Sequence, residues 1–459
     1  MTSATEPMRI VILGGGFGGM YTALALDRRL GRRADVEVTL VNRDNFFLFT
    51  PMLHEVAASE LDMTHIVCPI RKLLRHVQFF AGEVDAIDCE NRTVTVWHGD
   101  DRHHHRLRFD HLVVGVGAVT NFHGLPGLEA RALTMKSLAD AIALRNRVIA
   151  NLEEADLECC ADQRSKLLTF VIAGGGFAGV ETAAAVHDFA HGALRFYRNL
   201  TADDLRVVLV HSGEVLLPEL GERLGRYAQR KMEQRGMEVL TSVRLSGVSS
   251  EEVVLSDGSR IRAGTVVWTA GAAPHPMLAT LPCSTERGRI VVDEHLRAAP
   301  GVGLWAVGDC AHIMDRRTGR PHPPTAQHAL REGRLLARNL LATRDGRPLR
   351  PFRFRTLGQL ASLGRRSGVA NVLGFNFSGF VAWWLWRSIY LSKLPRLEKK
   401  VRVMLDWTLD LCFGKDLVQL KTAPVGNPDA PPPPVERPSP ARSEPALAGV
   451  AGTGESHDA

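Results

Sequence analysis

The 459-residue chain lacks an apolar run long enough to cross a bilayer, a span that needs about 20 residues. Its start, Met1-Thr-Ser-Ala-Thr-Glu-Pro7, has no apolar signal core and gives no support for secretion. The seven cysteines (68, 89, 159, 160, 283, 310 and 412) contain no Cys-x-x-Cys pair and no even disulfide set, which suits a reducing cytosol. Cys159-Cys160 lie in an expected loop and read as a buried or idle pair. His103-His-His105 has no paired ligand pattern; the reading is a solvated polar loop between strands, and no metal site is expected. No helix-turn-helix, zinc motif or aromatic-basic stretch points to nucleic acid. The surplus of six positive charges favours an anionic surface without naming it.

What is present is an ordinary globular composition, 45% apolar and 23% charged, with room for two or three domains at about 150 residues each. Two glycine-rich loops of one kind stand out, Arg9-Ile-Val-Ile-Leu-Gly-Gly-Gly-Phe-Gly-Gly-Met20 and Thr169-Phe-Val-Ile-Ala-Gly-Gly-Gly-Phe-Ala-Gly-Val-Glu181. In each, a β-branched apolar run supplies a buried strand. Gly14-x-Gly16-x-x-Gly19 and Gly174-x-Gly176-x-x-Gly179 then turn into a helix. The first glycine permits the turn, the second admits a pyrophosphate, and the third packs helix on strand. The helix N-terminus offers unpaired N–H groups and a positive dipole end to phosphates. Two copies in strand-loop-helix context predict two bound dinucleotides.

The carboxylate expected about 20 or more residues further on, to hold a ribose hydroxyl, is missing both times. The strand Val36–Val41 runs into Asn42, and the strand Leu205–Val210 runs into His211. A neutral His211 would bond a ribose hydroxyl, whereas a protonated one would accommodate a 2′-phosphate, which leaves the choice between NADH and NADPH open.

The order of elements predicts an α/β fold of two Rossmann-like dinucleotide-binding domains, the second inserted in the first. Residues 8–125 and 295–349 read as the first dinucleotide-binding domain in two parts, and 126–294 as the second; the resemblance given below implies FAD in the first and NAD(P)H in the second. A helix over Leu133–Ala150 leads into the inserted unit. The strand ending Ala306-Val-Gly-Asp309 returns to the first domain, followed by a helix from about Thr325 to Ala342. Residues 350–420 turn aromatic and basic and read as an amphipathic, membrane-docking segment. Residues 421–459, with nine prolines between Pro424 and Pro445, are too poor in apolar surface to fold.

These features resemble the flavoproteins with two dinucleotide-binding domains, and within them the type II NADH:quinone oxidoreductases, the single-subunit respiratory NADH dehydrogenases. The resemblance covers nearly all of Met8 to Leu420. It rests on both loops, Asn45-Phe-Phe-Leu-Phe-Thr-Pro-Met-Leu-His-Glu-Val56, Val180-Glu181, Ala306-Val-Gly-Asp309, Pro324-Thr-Ala-Gln-His-Ala329 and Gly379-Phe-Val-Ala-Trp-Trp-Leu-Trp-Arg387. Asn42 and His211 are the departures. The resemblance implies FAD at Gly14, Gly16, Phe17, Gly18, Gly19, Asn42, Arg43, Val84, Gly117, Gly308, Asp309, Ala326 and Gln327, with Asp309 bonding a ribityl hydroxyl. It implies NADH as substrate at Gly174, Gly176, Phe177, Ala178, Gly179, Glu181, His211 and Gly271. Glu181 and Gln327 inherit catalytic roles: Glu181 binds NADH and couples the half-reactions, and Gln327 donates to a quinone carbonyl beside the small Ala326.

Hydride transfer between nicotinamide and flavin is the cofactors' chemistry, so the protein must stack the rings and exclude water. Disulfide reductases carry a cysteine pair where this chain has Phe46 to Leu53, so electrons need another acceptor. The C-terminal segment supplies its address. Tryptophans 383, 384 and 386 suit headgroup depth. A helix from Arg396 places Leu397, Val401, Met404, Leu405 and Thr408 on one face, with Lys399, Lys400 and Arg402 directed elsewhere. The expected enzyme is a peripheral protein on the cytoplasmic side of the cell membrane that reduces a membrane quinone without pumping protons. The resemblance also implies a homodimer through the same region. A soluble reductase of a carrier protein leaves that segment unexplained. A sulfide:quinone reductase needs flavin-flanking cysteines, for which only Cys310 is placed. A nucleotide-bound redox sensor is the non-enzymatic alternative.

Overall fold

The first glycine loop grows out of the strand Met8–Leu13, whose residues are buried on both faces as a central parallel strand requires. Val36–Asn42 and His111–Val114 pair with it in parallel on either side, with Leu13 opposite Val41 and Val114. Gln78–Ala81 extends one edge. The other is completed by Leu304–Ala306, parallel to His111–Val114, and by Arg297–Ala299, antiparallel to it. This six-stranded sheet therefore draws its strands from both ends of the chain.

Between them lies a second sheet in the order Glu238–Leu240, Arg206–Val210, Thr169–Ala173, Thr265–Trp268, all parallel. Each sheet reverses strand order at the strand that carries the glycine loop, the switch point where α/β sheets bind ligands. The second Rossmann-like unit is thus inserted in the first, and two short antiparallel strands, Ala118–Thr120 and Ala272–Pro274, join at the passage between them. The computed structural model describes residues 6–31, 33–413 and 415–420, so the proline-rich tail read at 421–459 lies outside the described residues.

Beyond the sheets, Gly358–Ser362, Gly368–Val372 and Phe375–Ser378 form an antiparallel three-stranded sheet. The aromatic helix Gly379–Lys393 packs on it, and the helix Leu397–Cys412 follows. Among the described residues no helix is long and apolar enough to cross a membrane.

Several local expectations are corrected. The connecting helix runs Leu138–Leu157 because Ser137 and Asp140 form a capping box there, and Leu133 instead bridges to Val267. His103 to His105 lie on the strand His103–Arg108, not in a loop, and the turn is confined to residues before them. Cys159 and Cys160 are exposed rather than buried. In the helix Leu397–Cys412, Lys399 points inward, donating from Nζ to the Thr64 carbonyl at 2.6 Å, so it is not available to lipid. Trp386 is 1% exposed whereas Trp384 is 56% exposed, which splits the tryptophans between interior and surface.

Candidate functional site

Both glycine loops have the geometry that their spacing predicts. Gly14 (φ +96°) and Gly174 (φ +122°) adopt turns that an L side chain resists. A Cβ at Gly19 would stand 1.9 Å from the Gly14 carbonyl oxygen, and one at Gly179 would stand 1.7 Å from that of Gly174. Gly16 and Gly176, the N-caps of Phe17–Leu30 and Phe177–Ala193, behave differently. A Cβ there would meet nothing within 4 Å, and neither helix has a side-chain cap or an acidic residue in its first turn. Open space therefore fronts two uncapped helix N-termini, which fits a pyrophosphate at each.

The missing carboxylates now have a physical account. Asn42 Oδ1 accepts the Gly15 N–H at 2.7 Å, and His211 Nδ1 accepts the Gly175 N–H at 3.1 Å. The strand register brings each residue beside the middle of its loop, so both spend their acceptor on holding the loop. Burial holds the His211 pKa below the ordinary histidine range, which agrees with an unprotonated Nδ1.

The remaining residues expected at FAD gather around the first loop unevenly. Phe17 stacks edge-on against Phe47 with ring centroids 5.1 Å apart. Gly18 faces Val307 of the returning chain, where a Cβ would come within 2.9 Å of Cγ2. Gly117 (φ +70°) and Gly308 (φ +74°) turn the chain at the ends of neighbouring strands. Asp309 is half-buried, and burial raises its pKa against the pull of Arg289 and Lys136. Arg43 is exposed beside Asp44, and Val84 sits in a separate three-stranded sheet opposite Val96. On the second loop, Phe177 and Ala178 open the helix, while Gly271 passes so close to Asn121 that a Cβ would stand 2.0 Å from its carbonyl oxygen.

Glu181 lies in the second turn of Phe177–Ala193 and is 8% exposed. Its Oε1 accepts from Ser362 N–H at 3.1 Å and from Trp386 Nε1 at 2.9 Å, both in the C-terminal region. Its Oε2 lies 3.7 Å from His54 Nδ1. Burial pushes the carboxyl up to about 8, despite the two bonds that favour the anion. Burial also drives His54 down to about 4, so this contact joins a neutral imidazole to a protonated carboxyl near neutral pH.

Gln327 occupies the first turn of Ala326–Arg344, directly after Ala326. Its Nε2 donates to the Gly358 carbonyl at 3.0 Å and its Oε1 accepts from Leu357 N–H at 3.3 Å. The carboxamide thus pins the start of the C-terminal sheet to the helix, leaving one N–H for another acceptor.

Two carboxyls escaped sequence reasoning. Glu55 is buried beneath Trp407, whose Nε1 donates to it at 3.3 Å, and burial raises its pKa. Glu332 accepts the Gly308 N–H at 2.8 Å and is pushed up to about 7 by burial. Glu55 left a signal, a charge inside the apolar run Pro51 to Ala58; Glu332 left none, in a helix full of charge. Cys310, the one thiol beside the Gly-Asp turn, is buried and pushed up to about 12, which does not suit a nucleophilic thiolate.

Comparison with known proteins follows the same outline. Residues 8–333 match the family model described as pyridine nucleotide-disulphide oxidoreductase, and residues 357–416 match the NDH2 C-terminal domain. The chain is 31% identical to a probable NADH dehydrogenase of Dictyostelium discoideum, over 90% of this chain and 91% of the relative. It is also 31% identical to the type II NADH:quinone oxidoreductase NdhA of Mycobacterium tuberculosis, over 87% and 86%. The fold is similar to that of NDH2 from Plasmodium falciparum solved in complex with NADH, with TM-score 0.84, 20% identity, 90% of this chain and all of the other covered.

Proposed function

Since the chain belongs to the pyridine nucleotide-disulphide oxidoreductase family and, within it, to the type II NADH:quinone oxidoreductases, we propose how its own residues divide the work of passing electrons from NADH through FAD to a quinone. The observation that carries the reading is the helix Phe177–Ala193. It starts at the open front of the second glycine loop and, one turn later, presents Glu181 to Ser362 and Trp386 of the C-terminal region. One rigid element thus links the nicotinamide loop to the region that the acceptor must approach.

Bound FAD supplies a two-electron relay between donor and acceptor. Gly16 and the helix it caps would hold its pyrophosphate, and Asp309 would accept from a ribityl hydroxyl. Gly176 and its helix would hold the pyrophosphate of NADH. A neutral His211 brings no positive charge to the second loop, which favours NADH over NADPH. Glu181, protonated near neutral pH and shut away from bulk water, holds a proton for quinone reduction. Ala326 would leave room for a flat ring, and the remaining N–H of Gln327 would donate to a quinone carbonyl.

The surface of the last two described helices supports a membrane site for this acceptor. Phe380, Val381, Trp384, Leu397, Val401, Met404 and Leu405 are all exposed, an apolar area that a peripheral protein buries at the lipid interface. We place it on the cytoplasmic side, without proton translocation, and a second copy of the chain on the same face is the competing occupant.

Gln327→Ala tests the division of labour. Loss of one neutral hydrogen bond to the quinone is worth about 1 kcal/mol, roughly fivefold in quinone KM, while the rate of flavin reduction by NADH stays unchanged. Equal loss in both half-reactions would refute the role given to Gln327.

A further inference from the structure

Glu332 is a buried carboxyl that the passage of electrons described above does not use. It lies further along the helix Ala326–Arg344 that Gln327 helps to open, and it is 3% exposed. Its Oε2 accepts the Gly308 N–H at 2.8 Å. Gly308 (φ +74°) makes the left-handed turn through which the strand Leu304–Ala306 delivers Asp309. One hydrogen bond to a carboxyl therefore fixes the residue just before Asp309.

The helix that carries Glu332 is itself held in place. A Cβ at Gly333 would stand 2.4 Å from the Gly18 carbonyl oxygen and 2.8 Å from the Thr22 nitrogen, so Ala326–Arg344 lies directly on Phe17–Leu30. Gly18 in turn lies against Val307, the residue before Gly308. Glu332 thus stands where the helix of the first glycine loop, the returning strand and the helix of Gln327 meet.

Glu332 also lines a cavity of about 10 Å³ with Gly308, Thr325, His322 and His328, which is the size of one water. Thr325 Oγ1 and His328 Nδ1 are hydrogen-bonded to each other at 2.7 Å. Burial drives His328 down to about 4 and lowers His322 as well, so that wall carries no charge near neutral pH. In the turn, the Cys310 thiol donates to the carbonyls of Val114 and Val307, and Gly18 and Thr22 bring no charge from the first helix. The charge that bears on Glu332 is Asp309, on which Arg289 and Lys136 also act.

We propose that Glu332 is a positioning residue for FAD, a clamp on Gly308 that sets Asp309 for the ribityl chain and makes retention of the flavin depend on a proton. The inference rests on the ribityl role given to Asp309 above. Burial, with Asp309 beside it, pushes the Glu332 carboxyl up to about 7. Below that value its carbonyl oxygen serves Gly308, and its O–H finds an acceptor in the water-sized cavity. Above it, a second negative charge stands next to Asp309 and close to the helix whose N-terminus would hold the pyrophosphate. FAD brings two further negative charges to that helix, so binding favours the protonated carboxyl. The hold on FAD therefore weakens as pH rises past about 7.

Release of FAD from the diluted holoenzyme, followed as the rise of free flavin fluorescence from pH 6 to pH 9, tests the clamp without reference to turnover. The parent should release FAD about tenfold faster at the alkaline end, as expected for a pKa that differs by about one unit between the loaded and empty sites. Glu332→Gln keeps a carbonyl for Gly308 and an N–H for the cavity but cannot ionise. It should match the parent at pH 6 and stay flat to pH 9. Glu332→Ala leaves the Gly308 N–H unpaired, so it should release FAD about tenfold faster already at pH 6. Asp309→Asn should also release FAD faster, and combining it with Glu332→Ala should give less than the product of the two single effects, because one residue acts through the other. A pH course in Glu332→Gln parallel to that of the parent, parental retention in Glu332→Ala, or full multiplication in the double variant would overturn the clamp. Parental retention in Asp309→Asn would instead overturn the ribityl role on which the clamp rests.

Discussion

Glu181→Gln is expected to leave reduction of the flavin by NADH intact and to slow quinone reduction by roughly 10²- to 10⁴-fold, the range of a positioned general acid. Glutamine is nearly the same shape, and its carbonyl oxygen can accept from Ser362 and Trp386 as Oε1 does. The substitution thus removes the exchangeable acid and keeps the packing. The parent should also show a pH dependence that the variant lacks. With its pKa pushed up to about 8, Glu181 is protonated below that value, so the quinone rate should hold through neutrality and fall as pH rises past about 8. The same shift bears on stability. Between the ordinary glutamate value of 4.5 and about 8 the folded chain holds a proton that the unfolded chain releases, so this residue's contribution declines as pH rises through that window. Rapid-mixing measurements of the two half-reactions across pH check both effects; equal slowing of both steps would mean that Glu181 serves binding alone.

The second large effect concerns the membrane. Val401 and Leu405 stand one turn apart on Leu397–Cys412, 43% and 53% exposed, while the opposite side of that helix buries Val403 and Trp407. Val401→Glu with Leu405→Glu should therefore leave the fold alone and remove apolar contact from the lipid face. Each such side chain is worth about 1.5 to 3 kcal/mol when buried, so partition onto anionic vesicles should fall by roughly 150-fold or more. Turnover with a short-chain, water-soluble quinone should be unaffected. A change in oligomeric state with unchanged vesicle binding would assign the face to a second copy of the chain.

Legibility followed local spacing and stopped at tertiary packing. The glycine loops could be read because a tight turn, a phosphate approach and a helix crossing each demand glycine at a fixed offset. Asn42 and His211 stood out as departures, yet their bonds to Gly15 and Gly175 depend on strand register. The helix with Trp383, Trp384 and Trp386 was visible as aromatic, but residues two positions apart face different surroundings, and only packing reveals that Trp386 bonds to Glu181. Lys399 reads in the sequence as a lipid-facing cation, and only the packing of its helix against Thr64 turns it inward. Glu55 and Glu332 resemble ordinary helical carboxylates, and only the elements folded over them make their pKa values matter.

The most direct measurement is an anaerobic titration of the purified flavoprotein, read by its visible spectrum. NADH should bleach the flavin stoichiometrically, and a short-chain quinone added next should restore the oxidised spectrum with one quinol formed per NADH consumed. A spectrum that stays oxidised with NADH, or a reduced flavin that passes electrons to a carrier protein but not to quinone, would contradict the account.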